Sequence, residues 1–152
     1  MEENLVQNTS EMQLTEEMKA YLSETAKWAQ FLSILGFLAV GFLVLIGVIT
    51  GVFFEALAPT MEAEMEQLPS GFGGMMAVFY VVVAVLYFFP VYYQLQFANK
   101  MRTALNSNDN AVLALSFSKL KSFYKFTGIM AIVLIAVYLL LIVGVMFTAA
   151  AA

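Results

Sequence analysis

Residues 126–152 read FTGIMAIVLIAVYLLLIVGVMFTAAAA and contain no Asp, Glu, Lys or Arg. Two further stretches without these residues run from Trp28 to Phe54 and from Gln67 to Asn99. A helix needs about 20 apolar residues to cross the hydrocarbon core of a bilayer, and each stretch is longer than that. Barrel strands would alternate apolar and polar residues, which these stretches do not do. The sequence therefore predicts an all-α integral membrane bundle of three transmembrane helices.

The composition of the chain supports the same class. Of its 152 residues 62% are hydrophobic and only 12% are charged, whereas about a quarter of the residues of a soluble domain are charged. The chain has no Cys and no His, so disulfides, thiolate nucleophiles and the usual zinc and haem ligands are excluded. We therefore expect no catalytic residues, no cofactor and no metal.

The charge pattern divides the chain into a flexible N-terminal segment, 1–13, and a single membrane domain, 14–152. In chain order, the domain is predicted to contain an amphipathic helix at 14–29, TM1 at 30–54, an acidic outer loop at 55–73, TM2 at 74–97, a basic inner loop with an amphipathic helix at 98–126, and TM3 at 127–149. A cleaved signal peptide ending near Ala58 is disfavoured, because TM1 is much longer than an ordinary signal sequence and follows an acidic segment.

Two segments outside the spans have helical periodicity. The apolar positions of the first step by three and four residues, and so do those of the second: Leu14, Met18, Tyr21, Thr25, Trp28 and Leu32, then Leu113, Phe117, Leu120 and Tyr124. Ser10 and Gln13 have capping-box spacing at the start of the first, with Thr15 as an alternative cap. The glycines at 71, 73 and 74 are predicted to break any helix in the acidic loop. We expect both amphipathic helices to lie on the cytoplasmic side.

The distribution of lysine and arginine predicts the orientation of the chain in the membrane, since these residues favour the cytoplasmic side. Of the seven basic residues, five lie in the second loop, two (Lys19 and Lys27) in the first amphipathic helix and none in the first loop. This distribution predicts a cytoplasmic N-terminus and an outside C-terminus. The compact chain favours the bacterial inner membrane.

Small residues mark candidate helix-packing positions, because they let two backbones approach closely. Gly47 and Gly51 have GxxxG spacing in TM1, and Gly36, Gly128 and Gly144 add further small surface. Packing among the three spans is favoured over a dimer or partner face, because a single GxxxG match has low specificity.

The end of TM2 is aromatic and contains Pro90, which removes one helical hydrogen bond. Gln94 and Gln96 follow and could line a polar cavity, but an interfacial aromatic girdle is favoured. In the acidic loop Glu62 and Glu66 are spaced for one helix face, yet nothing else there supports a metal site.

The basic loop is predicted to contact anionic membrane lipids, which attract basic residues next to a membrane. The candidate headgroup contacts are Lys100, Arg102, Lys119, Lys121 and Lys125. No RNA-binding or DNA-binding motif accompanies them, so nucleic acid is not expected as a partner.

The segments Tyr87–Tyr93 (YFFPVYY) and Leu120–Phe126 (LKSFYKF), together with Ala26–Ala29 (AKWA), resemble an uncharacterised family of small integral membrane proteins of Bacteroidota-type bacteria. The resemblance implies a bacterial inner membrane location. It implies no activity and no site residues.

No charged residue lies within a predicted span, and ion pathways usually contain one. A non-enzymatic accessory or interaction subunit of a membrane complex is therefore the favoured function. The alternative is a small channel or transporter formed by a homo-oligomer. Its candidate lining residues are Thr50, Tyr80, Tyr87, Tyr92, Gln94 and Gln96. A membrane-bound enzyme ranks last.

Overall fold

The computed structural model of the protein describes residues 14–57 and 71–151. They form three helices, α1 (Glu16–Leu57), α2 (Phe72–Ser107) and α3 (Asn110–Ala151), and no strand occurs in these two ranges. Each helix is long and apolar enough to cross a membrane. The predicted all-α architecture with three membrane-spanning helices is thus confirmed. The segment 1–13, the capping-box pair Ser10 and Gln13, and most of the acidic loop lie outside the described residues.

The helix α1 joins the predicted amphipathic segment to TM1 without interruption. It begins after Thr15, whose hydroxyl oxygen accepts a hydrogen bond from the backbone N–H of Met18 at 3.2 Å. Glu16 and Glu17 occupy the first turn, where negative charge stabilises the positive end of the helix dipole. The polar first turns and the apolar span therefore belong to one continuous helix, α1.

The predicted loop at 98–126 is almost entirely helical, because α2 extends to Ser107 and α3 starts at Asn110. Asn108 adopts a left-handed conformation with φ 50°, and its N–H donates to the carbonyl of Ala104. Asp109 then caps α3, and its Oδ1 accepts from the N–H groups of Ala111 at 2.8 Å and Val112 at 3.2 Å. The amphipathic helix predicted in this segment is thus continuous with the third span, and α2 extends beyond residue 97 because a helix does not end where charged residues begin.

Glycines mark the start of α2. Gly71 has φ 84°, which suits glycine, and the helix begins at the next residue. The acidic-loop helix that Gly71, Gly73 and Gly74 were predicted to end lies outside the described residues. Gly73 and Gly74 lie in the first turn of α2. Gly73 is there because α1 is close: a Cβ on Gly73 would lie 2.5 Å from Cβ of Phe54. From the sequence alone, a glycine that allows close approach of a neighbouring helix cannot be distinguished from one that ends a helix.

The first two helices form an antiparallel hairpin. One series of at least partly covered α1 positions recurs every three or four residues: Leu22, Ala26, Ala29, Ser33, Gly36, Val40, Leu43, Gly47, Thr50 and Phe54. Such a period of 3.5 residues is typical of coiled-coil packing. The apolar face predicted from Tyr21, Trp28 and Leu32 lies elsewhere, since these three side chains are exposed.

The most buried residues lie at one end of the bundle, called here the basic end, which holds the start of α1 and the turn at Asn108–Asp109. The cluster comprises Ala26, Ala29, Phe97, Ala98 and Met101, with Leu22, Leu105, Leu113 and Leu120 packed against it. All three helices contribute to this cluster. Because of it, α3 is fixed to the hairpin at the basic end.

The third helix contacts the hairpin over only part of its length. Several α3 side chains are covered between Val112 and Met130, and every side chain from Ala131 to Phe147 is exposed. Among the described residues α3 packs on α2, and no Cα of α3 lies within 8 Å of a Cα of α1. We call residues 131–147 the distal half of α3.

Candidate functional site

Three of the five candidate packing glycines lie in the contact between α1 and α2. A Cβ on Gly36 would lie 2.7 Å from Cγ2 of Val91, and one on Gly47 would lie 2.9 Å from Cβ of Tyr80. At Gly51 the nearest atom would be Cβ of Ala77, at 3.1 Å. The absence of a side chain at these positions lets α2 approach the α1 backbone.

The other two candidate glycines have open surroundings. A Cβ on Gly128 or on Gly144 would meet no atom within 4 Å, leaving aside the neighbouring turns of α3 itself. Both glycines belong to α3, and Gly144 lies in its distal half. The five glycines therefore do not form one packing face, because three lie in an intramolecular contact and two face away from the hairpin.

The five candidate lipid-contact residues are all on helices at the basic end. Lys100 and Lys119 are half-buried, whereas Arg102, Lys121 and Lys125 are exposed. The guanidinium of Arg102 donates through Nη1 to Oε1 of Gln30 on α1. In the described parts of the chain, the one ion pair within 4 Å joins Lys19 to Glu16. The ammonium groups of Lys100 and Lys119 therefore have no carboxylate partner there.

Two rows of at least partly covered side chains begin at these half-buried lysines, one on α2 and one on α3. On α2 the row passes from Lys100 through Phe97 to Pro90 in steps of a helical period. On α3 it passes from Lys119 to Met130 in the same way. The sequence could have indicated these rows, because both have the 3.5-residue spacing of an antiparallel helix pair.

The two rows lead to a cleft of about 220 Å³ between α2 and α3. Its lining is formed by Leu86, Tyr87, Pro90, Thr127, Met130, Ala131 and Leu134. On its basic side, the rings of Phe89 and Phe126 lie 5.8 Å apart and still join the two helices. The cleft therefore marks the point where α3 leaves α2.

The aromatic segment of α2 connects all three helices. Phe88 stacks on Tyr92 with 5.9 Å between ring centroids, and it also meets Phe37 of α1 at 5.6 Å. Gln94 and Gln96, the residues of the alternative polar cavity, are half-buried. The aromatic rings thus take part in helix packing, which the sequence interpretation as a membrane-surface girdle did not include.

Two buried polar residues were not singled out from the sequence. Ser33 and Ser116 are both fully covered, and each hydroxyl donates to a carbonyl of its own helix, that of Ala29 and that of Leu113, at 2.7 Å. These bonds satisfy the hydroxyl groups, so both serines act as small packing residues. Ser116 lies against Met101, with 4.0 Å between oxygen and sulfur.

No group of three or more His, Cys, Asp or Glu side chains that could hold a metal occurs in residues 14–57 and 71–147. Glu62 and Glu66 lie outside the described residues. The features that the structure does bring together are a glycine-rich hairpin contact, a basic end and an apolar cleft.

These features define the class of the chain as a small α-helical membrane protein with three helices able to span the bilayer. Comparison with models of known protein families, with curated proteins and with solved structures gives no match. The resemblance to a family of Bacteroidota-type membrane proteins therefore stays a prediction.

Proposed function

We propose that this chain is a non-enzymatic interaction subunit of a membrane complex, and that the distal half of α3 is the helix that contacts the partner. One observation supports this most strongly: every side chain from Ala131 to Phe147 is exposed, while Gly36, Gly47 and Gly51 of α1 are in close contact with α2. Helices associate in lipid through close packing of side chains and backbone, since hydrocarbon supplies no hydrophobic drive. A span whose side chains are exposed in this way offers its surface for contact with another helix.

The open glycines add to this argument. At Gly128 and Gly144 the α3 backbone is accessible from outside the bundle, because no atom lies within 4 Å of an added Cβ. A partner helix can approach α3 most closely at such positions. The absence of Cys and His from the sequence, and of charge from the spans, favours an interaction role over catalysis.

The orientation and location belong to the same proposal. The basic end faces the cytoplasm, because five of the seven basic residues lie between residues 98 and 126 and none lies between 55 and 73. The membrane is the bacterial inner membrane. Since the chain has no cysteine, Asn108→Cys and Glu62→Cys give clean labelling sites. An impermeant maleimide added to intact cells should label Glu62→Cys and spare Asn108→Cys, and the opposite pattern would reverse the orientation.

The partner is tested by site-specific photo-cross-linking in the native membrane. Leu140 on α3 is 72% exposed and Phe42 on α1 is 63% exposed, so a photoreactive residue at Phe42 is the matched control. We expect an adduct of defined mass from position 140 and none from position 42. Equal background labelling at both positions would contradict the proposal.

The same experiment separates the alternative function from the proposed one. An adduct with twice the mass of the chain would identify a homo-oligomer, and solute flux in reconstituted vesicles would then be measured for the channel hypothesis. An adduct with a different protein supports the accessory subunit, and the partner's chemistry then gives the process in which it acts.

A further inference from the structure

We propose that the α2–α3 cleft binds one anionic phospholipid, with the phosphate between Lys100 and Lys119 and an acyl chain in the cleft. The inference does not depend on whether the distal half of α3 binds a partner. It rests on the shape of the cleft, the burial of the two lysines and the charge of this part of the chain.

The cleft is suited to hydrocarbon. Leu86, Met130 and Leu134 give it apolar walls, and its volume is about 220 Å³. Tyr87, Ala131 and Leu134 are exposed, so the cleft opens to the surroundings. Voids of this size inside packed protein are unfavourable because the lining atoms lose their contacts. An acyl chain from the surrounding bilayer supplies those contacts.

Along the helix axes, the two lysines lie as far from the cleft as a lipid headgroup lies from its acyl chain. Eight residues separate Lys119 from Thr127 and ten separate Lys100 from Pro90. At 1.5 Å per residue these are rises of about 12 Å and about 15 Å. The interfacial layer of a bilayer leaflet is roughly 5–8 Å thick. A phosphate held by the lysines therefore places the first half of its acyl chain at the level of the cleft.

The burial of the lysines distinguishes them from the other basic residues. Lys100 and Lys119 are half-buried beside the α2–α3 contact, whereas Lys121 and Lys125 are exposed. Long side chains lie along apolar surface with the charged group directed to the polar interface. Lys100 lies one turn from Phe97, whose ring is 6.4 Å from that of Phe117 on α3, and Lys119 lies two turns before Phe126, whose ring is 5.8 Å from that of Phe89 on α2. Both lysines are therefore close in sequence to a ring contact between α2 and α3, and the described residues place no carboxylate within 4 Å of either.

The charge of this part of the chain favours an anionic headgroup. From Gly71 to Ala152 the one acidic side chain is Asp109, and its carboxylate caps α3. A zwitterionic lipid carries a positive group beside its phosphate and is attracted less by two unpaired lysines. Each basic residue near an anionic surface contributes on the order of 1 kcal/mol, so we expect about a fivefold effect for each lysine.

The test is native mass measurement of the full-length purified chain with phosphatidylglycerol or phosphatidylcholine added in equal amounts. The double variant Lys100→Gln, Lys119→Gln should lose phosphatidylglycerol about 30-fold, the combined effect of the two lysines. The matched control is Lys121→Gln, Lys125→Gln, which removes the same charge from exposed positions and should lose much less phosphatidylglycerol, because these two residues contribute only general surface attraction. Equal loss in both double variants would overturn the site, because general surface attraction would then explain the binding.

A second arm tests the cleft. Ala131→Phe fills it, and Ala136→Phe adds the same ring elsewhere on α3, as a control. We expect Ala131→Phe to weaken binding of phosphatidylglycerol and Ala136→Phe to leave it unchanged, with helical circular dichroism unaltered in both. If Ala131→Phe has no effect, or if inorganic phosphate alone displaces the lipid, the lysines form a simple anion site and the proposal of a bound lipid is overturned. The lysine variants decide the question even if Ala131→Phe does not fold.

Discussion

The α1–α2 hairpin and the distal half of α3 are equally apolar but are packed in different ways. In the hairpin, small residues such as Gly36 and Gly47 face larger ones such as Val91 and Tyr80. In the distal half of α3 every described side chain is exposed. The difference shows that hydrophobicity places a helix in the membrane, whereas small residues at a regular spacing decide which helices associate there.

The comparison also shows where the fold of α3 is determined. Its first half packs on α2 in the cluster at the basic end, around Met101 and Ser116. Its distal half separates from α2 beyond Phe126 and Met130, where the α2–α3 cleft begins. The position of α3 therefore depends on the basic end alone, and substitutions there should have larger effects than substitutions in the distal half.

The largest effect is expected for Met101→Ala. Met101 is fully buried in the cluster to which all three helices contribute. Its truncation leaves a cavity in the cluster, so the free energy of unfolding should fall by about 2–5 kcal/mol. Detergent-titrated unfolding followed by circular dichroism measures this. Met146→Ala is the control, because Met146 is 67% exposed in the distal half, and an equal loss there would contradict the difference between the two regions.

A smaller effect is expected from adding one methyl group at the far end of the hairpin. Gly73→Ala places a Cβ 2.5 Å from Cβ of Phe54, which cannot move without the α1 backbone. We expect a loss of about 1–3 kcal/mol from this overpacking. The adjacent Gly74→Ala meets no atom within 4 Å and should gain about 0.5–1 kcal/mol, because alanine favours a helix over glycine. Equal stabilities of the two variants would mean that α1 and α2 are not in close contact there.

A substitution in the turn between α2 and α3 should lower the free energy of unfolding by less than Met101→Ala or Gly73→Ala. Asp109→Ala removes the acceptor for two backbone N–H groups at the start of α3, which typically costs about 1 kcal/mol. Hydrogen exchange should become faster at Ala111 and Val112 and stay unchanged in the middle of α2. Unchanged exchange at both positions would show that the cap does not hold the start of α3.

The sequence predicted the number and class of the helices because three charge-free stretches have a simple physical cause, the cost of charge in hydrocarbon. It did not predict their ends. The predicted TM2 ends at residue 97, but α2 continues to Ser107, since backbone hydrogen bonds form on both sides of the membrane surface. The residues that end α2 and start α3 are Asn108 and Asp109, whose short polar side chains favour turns and helix caps.

The packing faces were harder to predict for a related reason. Apolar periodicity identifies the buried face of a helix only where the other face meets water. In the first turns of α1 the covered apolar positions are Leu22, Ala26 and Ala29, so the predicted face with Tyr21 and Trp28 was not the one that packs on α2. Small residues at Ala26, Ala29 and Gly36 were the informative signal, because they allow close approach. The cleft could not be predicted, since it depends on where two helices separate.

The smallest effect on stability is expected in the distal half of α3. Leu140 is 72% exposed, so Leu140→Ala removes atoms that contact no other described helix. In lipid the lost methyl groups are replaced by hydrocarbon, and the free energy of unfolding of the isolated chain should stay unchanged. Leu43→Ala is the matched control, because Leu43 lies in the packed face of α1, and it should lose on the order of 1 kcal/mol of packing. If Leu140→Ala weakens association with the partner but not the isolated chain, the distal half serves binding; a loss of stability in the isolated chain would instead show that this half is packed within its own fold.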